Sequence, residues 1–202
     1  MLDIAARRLI DPSLNRMGRV LAGQGISANA VTLAGLALGL LAAVLIGLNH
    51  PLLALLPIMA NRLADGLDGA VARATQRTDF GGYLDIAADF LFYGAIPLGF
   101  VWVDPALNGA AGAFLLTSFY FNGASFLGYA ILAEKRGMQT SAQGLKSLYF
   151  SNGLLEGTET ILFFVALCLW PDSFAALSWA FGVLCFATGT LRIYGAFHIF
   201  RD

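Results

Sequence analysis

Four aspartates, Asp65, Asp68, Asp85 and Asp89, stand within "NRLADGLDGAVARATQRTDFGGYLDIAADF", residues 61–90. Asp65 and Asp68 are three positions apart and Asp85 and Asp89 are four apart, so on helices each pair shares a face. Carboxylates brought together repel unless a cation meets them. Oxygen donors of this kind suit Mg2+ or Mn2+, and two divalent ions would neutralise four charges. Between the acids lie Gly66, Gly69, Ala70, Ala72, Gly81 and Gly82, which predict open space over the carboxylates for a closely approaching ligand. The same small residues also serve tight helix packing in membranes. Arg62, Arg73 and Arg77 border the stretch and suit an anion. Carboxylates for metal, glycines for approach and arginines for charge together point to a nucleotide diphosphate site.

The elements that must position these groups read as membrane helices. Of 202 residues, 58% are hydrophobic and 12% charged, whereas soluble domains carry about a quarter charged residues. Apolar runs at 30–48, 51–64, 86–103, 107–133, 154–171 and 174–199 predict six crossings. The second run is too short alone and needs its helix to continue through Asp65 and Asp68. The two aspartate pairs then lie near the same ends of consecutive antiparallel helices joined by a short turn, where they can converge. The expected fold is an all-α membrane protein of one domain, residues 1–202. An amphipathic interfacial helix over 1–24 precedes a six-helix transmembrane bundle over 28–200.

Charge placement gives an independent check. With six crossings, all 12 Lys and Arg residues fall on one side or on helix ends facing it, and that side is expected to be cytoplasmic, with both termini and the aspartates. At the N-terminus Leu2, Ile4, Leu9, Leu14, Met17, Val20 and Leu21 alternate with Arg7, Arg8, Arg16 and Arg19, the pattern of a helix lying among membrane lipids and their phosphates. A net charge of −1 implies no nucleic-acid partner. Cys168 and Cys185 lie in apolar runs without ligand spacing and read as small buried hydrophobes.

At this point the stretch resembles the signature of the CDP-alcohol phosphotransferases, D-x2-D-G-x2-A-R-x8-G-x3-D-x3-D. Here it runs Asp65-x2-Asp68-Gly69-x2-Ala72-Arg73, then Gly81-x3-Asp85-x3-Asp89, with the spacer between Arg73 and Gly81 one residue shorter. "ISANAVTLAG" is similar to the family's P-N-x2-T element, keeping Asn29 and Thr32 with Ala28 for the proline. The resemblance implies transfer of a substituted phosphoryl group from a CDP-alcohol, usually CDP-diacylglycerol, to a second alcohol, with release of CMP. It implies that Asp65, Asp68 and Asp85 hold two Mg2+ or Mn2+ ions, and that Asp89 completes the metal site and serves as general base. Asn29, Thr32, Gly69, Ala72, Arg73 and Gly81, with the bordering Arg62, would form the CDP pocket. The family commonly forms homodimers, and Gly35 and Gly39 are a GxxxG-like pair that permits helix contacts. The compact length resembles members of the bacterial inner membrane.

The acceptor is less legible. Lys135, Lys146 and Arg192 suit a phosphorylated alcohol of the glycerol 3-phosphate or inositol-phosphate type. Glu156 and Glu159, three apart, leave two readings open: ion pairs with Arg192 or Lys146, or contact with an acceptor bearing hydroxyls or an amine. Two alternatives stand beside the main expectation. One is a soluble CDP-alcohol donor with a lipid acceptor. The other, from a different class, is a divalent-metal transporter, since intramembrane carboxylates also serve ion passage.

Overall fold

The computed structural model describes residues 2–138, 155 and 157–201, with side chains from residue 11 onward. Lys146 and Glu156 lie outside the described residues. The described chain is helical and holds no strand. Helix α1 spans Leu2–Gly23 and α2 Ala28–Gly47, separated by a turn in which Gly25 takes φ +79°. Ser27 caps α2 by accepting the Ala30 N–H at 3.2 Å. Helix α3 spans Pro51–Ala74 and α4 Asp79–Val103. Helix α5 runs from Pro105 to Lys135, its first turn capped by Asp104, which accepts from the Leu107 N–H at 2.9 Å. Helix α6 spans Gly157–Leu169, and one 3-10 turn at Pro171–Ser173 leads into α7, Phe174–Phe200.

The second apolar run does continue through the acids: α3 carries Asp65 and Asp68 as helical residues. Helix α4 starts well ahead of its apolar run because Thr78 caps it, its hydroxyl oxygen accepting the Gly81 N–H at 3.0 Å. Asp85 and Asp89 are therefore both helical, and residues 75–78 form the short turn between the pairs.

Four described helices, α2, α4, α5 and α7 with its leading turn, are long and apolar enough to cross a membrane, and α6 is a shorter apolar helix. Large side chains such as Leu41, Leu53, Trp102, Tyr120 and Val183 are exposed on the outside, as suits contact with acyl chains. The protein is an integral membrane protein. Inside, Ile46, Ile58, Phe92, Ile96, Phe164 and Phe174 form one buried cluster.

Small residues set how closely the helices pack. α2 lies against both α3 and α4. A Cβ on Gly35 would stand 2.9 Å from the Ala64 Cβ, and one on Gly39 would stand 2.6 Å from the Phe92 ring. The Gly35/Gly39 pair is thus buried in contacts within the chain, where it cannot form a seam between copies. Helices α5 and α7 pair in the same manner, Gly182 receiving Phe114 and Gly189 receiving Phe121. Helix α1 docks on α3, with Gly18 over Ala70 and Leu14 over Gly66.

Candidate active site

The packing of α2, α3 and α4 opens a small hollow at the acidic ends of α3 and α4. Thr32, Gly35 and Leu36 form its α2 wall; Asn61, Arg62, Asp65 and Asp68 its α3 wall; Asp85, Ala88 and Asp89 its α4 wall. Asp65, Asp85 and Asp89 each offer a carboxylate oxygen, and these oxygens all lie within 4.8 Å of one another. Two helices thus bring three acids to one point, and hard oxygen donors at that spacing fit a divalent cation.

Asp68 lines the same hollow but is held differently. It is buried, and its Oδ2 accepts from the Thr32 hydroxyl at 2.7 Å. It stands outside the converging trio, one oxygen tied to α2. Thr32, which the resemblance assigned to the nucleotide pocket, here orients an acid.

Arg62 also belongs to the acidic cluster. Its Nη2 donates to Asp89 Oδ1 at 2.9 Å, and its Nη1 lies 3.7 Å from Asp65 Oδ2. Its Nε donates to Asn61 Oδ1 at 2.8 Å, and its guanidinium lies 4.5 Å from the centre of the Phe92 ring. Sequence reasoning missed Asn61, whose Nδ2 donates to the Gly35 carbonyl at 2.8 Å and ties α3 to α2. Its one signal was an amide following the apolar run "PLLALLPIMA".

The remaining pocket residues lie at the rim. Arg73 is exposed and turns toward α1, donating from Nε and Nη2 to Asn15 Oδ1 at 3.1 and 2.9 Å. A Cβ on Gly69 would meet Arg73 Nη1 at 3.3 Å, so Arg73 lies across that glycine, one turn from the half-buried Ala72. Asn29 faces the start of α4, its Oδ1 3.2 Å from where a Gly81 Cβ would stand. The expectation of open space holds for Gly82, which has nothing within 4 Å of a Cβ position, and fails for Gly66. A Cβ on Gly66 would come within 2.8 Å of Leu14 Cδ1, so this glycine admits α1.

Among the described residues expected to meet an acceptor, Lys135, Glu159 and Arg192 stand outside the wall of this hollow. Lys135 is exposed in the last turn of α5, and Glu159 is half-buried in the first turn of α6. Arg192 reaches from α7 to α5, where its Nη1 donates to the Asn122 carbonyl at 3.0 Å, Asn122 Oδ1 at 2.8 Å and Ser125 Oγ at 2.7 Å. Cys168 and Cys185 are buried free thiols, as their apolar setting suggested.

A sequence model of one family, described as CDP-alcohol phosphatidyltransferase, matches residues 26–191. The chain is 46% identical to the inner membrane protein YnjF of Escherichia coli K12 over 98% of its own length and 96% of that protein's. It is 37% identical to an archaetidylinositol phosphate synthase of Pyrococcus horikoshii over 46% of this chain and 50% of that one. Its fold matches, with a TM-score of 0.70, a crystal structure of Mycobacterium tuberculosis phosphatidylinositol phosphate synthase (PgsA1) with CDP-DAG bound. That match covers 91% of this chain and 93% of the other at 21% identity.

Proposed function

The chain belongs to the CDP-alcohol phosphatidyltransferase family and is a transferase of substituted phosphate groups, and we propose that its donor is CDP-diacylglycerol. The phosphatidyl group passes to the hydroxyl of a small polar alcohol of the glycerol 3-phosphate or inositol-phosphate type, and CMP leaves. The observation that carries this reading is the convergence of Asp65, Asp85 and Asp89 on one hollow, with Asp68 in its wall. The names of two relatives, each an inositol phosphate lipid synthase, favour the inositol-phosphate type of acceptor. Family membership sets aside the metal-transporter alternative.

Asp65, Asp68, Asp85 and Asp89 hold two Mg2+ or Mn2+ ions in this reading. Bound there, such ions neutralise diphosphate oxygens and stabilise the departing CMP. The chain's own groups do the rest. Thr32 fixes the Asp68 carboxylate through their 2.7 Å hydrogen bond, so that acid is oriented before substrate arrives. Asp89 takes the proton of the acceptor hydroxyl on the oxygen that Arg62 leaves free. The acceptor oxygen then bonds the phosphorus that carries diacylglycerol, and the bond from that phosphorus to the CMP oxygen breaks. Asn29, Gly69, Ala72, Arg73 and Gly81 form the rim against which the cytidine diphosphate lies, Arg73 leaving Asn15 to meet it. Lys135 and Arg192 serve the acceptor's phosphate.

The architecture follows the same reading. Helices α2–α7 are six crossings, and α1 lies in the interface, where exposed Met17 and Val20 meet lipid beside exposed Arg16 and Arg19. Lys and Arg placement supports an orientation with both termini and the hollow on the cytoplasmic side, and the name of the Escherichia coli relative supports a bacterial inner membrane.

A matrix of donors and acceptors, assayed by CMP release from the purified protein, tests the proposal. CDP-diacylglycerol with inositol phosphate or glycerol 3-phosphate should give a phospholipid product. Turnover only with a soluble CDP-alcohol and a lipid acceptor would overturn the choice of donor.

A further inference from the structure

The acidic cluster carries its own cation. Arg62 bridges acids of two helices, 2.9 Å from Asp89 Oδ1 and 3.7 Å from Asp65 Oδ2. It is also fixed in place. Asn61 accepts from its Nε, and Asn61 in turn is bound to the Gly35 carbonyl of α2, each bond being 2.8 Å. The rings of Phe92 and Tyr93 lie 4.5 and 5.6 Å from its guanidinium carbon, which suits a cation over aromatic faces. Gly39 makes this possible, since its missing side chain leaves room for both Phe92 and the Asn61 amide. Groups from α2, α3 and α4 thus hold the charge at the site.

We infer that Arg62 is a built-in counter-ion that shares Asp89 with the divalent ion and thereby weakens metal binding while keeping the acids assembled without metal. The inference rests on the metal reading of the cluster. It gives Arg62 a different role from the anion contact expected of it, because its hydrogen bonds are directed at the protein's own carboxylate and at Asn61. Arg62 is a positioning residue here, acting through Asp89. A cation so anchored cannot swing away when metal enters, so ion and guanidinium remain neighbours and repel.

The test is Mn2+ binding by the full chain in detergent, read from the electron paramagnetic resonance of free Mn2+, with thermal unfolding in chelator and in excess Mn2+. Arg62→Gln should bind Mn2+ tighter by on the order of tenfold, the size expected for removing one positive charge beside a dication in a water-like dielectric. Its unfolding temperature should fall in chelator and recover in Mn2+. Arg62→Lys, which keeps the charge, should bind within about threefold of wild type, less than the change from removing it. Unchanged or weaker binding by Arg62→Gln, with wild type binding normally, overturns this inference alone. A wild type that binds no Mn2+ overturns the metal reading and this inference with it. A measurement on the unmutated protein covers the case in which Arg62→Gln does not fold. The Arg62 guanidinium 15N signals should shift on saturation with Mg2+, and their failure to move would refute the sharing.

Discussion

Replacing Thr32 by valine tests whether Asp68 must be held. The Thr32 hydroxyl has one proton and two acceptors in reach, the Asp68 carboxylate at 2.7 Å and the Ala28 carbonyl at 3.1 Å. The shorter contact, to a charged acceptor, takes it. Both residues are buried, so no bulk water stands ready to replace the bond. Hydrogen bonds to charged groups contribute about 1.5–3 kcal/mol, and about 1.4 kcal/mol corresponds to a tenfold change in rate. Valine keeps the shape and removes the donor. If the bond orients Asp68 for catalysis, kcat/KM for CMP release should fall by roughly ten- to a hundredfold. Thr32→Ser, which keeps the hydroxyl, should stay within about threefold, well under the loss of one such bond. Coupled detection of CMP release in detergent micelles measures this, with thermal unfolding run in parallel to exclude a folding defect. Full activity in Thr32→Val, or equal damage in Thr32→Ser, would refute the reasoning.

Helix docking predicts a contrast between two glycines of the α1–α3 contact. A Cβ on Gly18 would lie 2.7 Å from both the Ala70 Cβ and its backbone carbon, which cannot yield, whereas one on Gly66 meets only the flexible end of Leu14 at 2.8 Å. Gly18→Ala should therefore cost about 1–3 kcal/mol of stability and Gly66→Ala under about 1, measured as shifts in unfolding temperature. Arg192→Gln should raise KM for a phosphorylated acceptor by about tenfold or more, the loss of a charged contact, while KM for the CDP donor stays within about twofold. Equal effects on both substrates in steady-state kinetics would assign Arg192 to structure alone. Arg73→Gln should instead raise KM for the CDP donor by about tenfold, with Asn15→Ala, which removes only its half-buried neutral partner, changing it by under about threefold.

The helices were legible because their signals are local. Apolar runs, turn residues and the caps Ser27, Thr78 and Asp104 act within a few positions, and the aspartate spacings put each pair on one face. The convergence of Asp65, Asp85 and Asp89 also followed from a short turn between antiparallel helices. What stayed hidden depends on which helix packs against which. Thr32 meets Asp68 across 36 positions and Arg192 meets Asn122 across 70, and neither distance leaves a mark in a local pattern. The glycines illustrate the limit. Gly82 faces open space while Gly66 receives Leu14, yet the sequence presents both as small residues beside the same acids. Arg62 was expected to face an incoming anion and faces Asp89 instead, because Asn61 and Phe92 fix its direction.

The most direct test of the account is CMP release from CDP-diacylglycerol by the purified protein with an inositol phosphate acceptor, in the presence and absence of chelator. Activity should vanish in EDTA, return with Mg2+ or Mn2+, and be lost from Asp65→Asn, Asp85→Asn and Asp89→Asn proteins that still fold. Undiminished turnover in chelator, or in any of those three variants, would contradict the claim that these acids hold a catalytic cation.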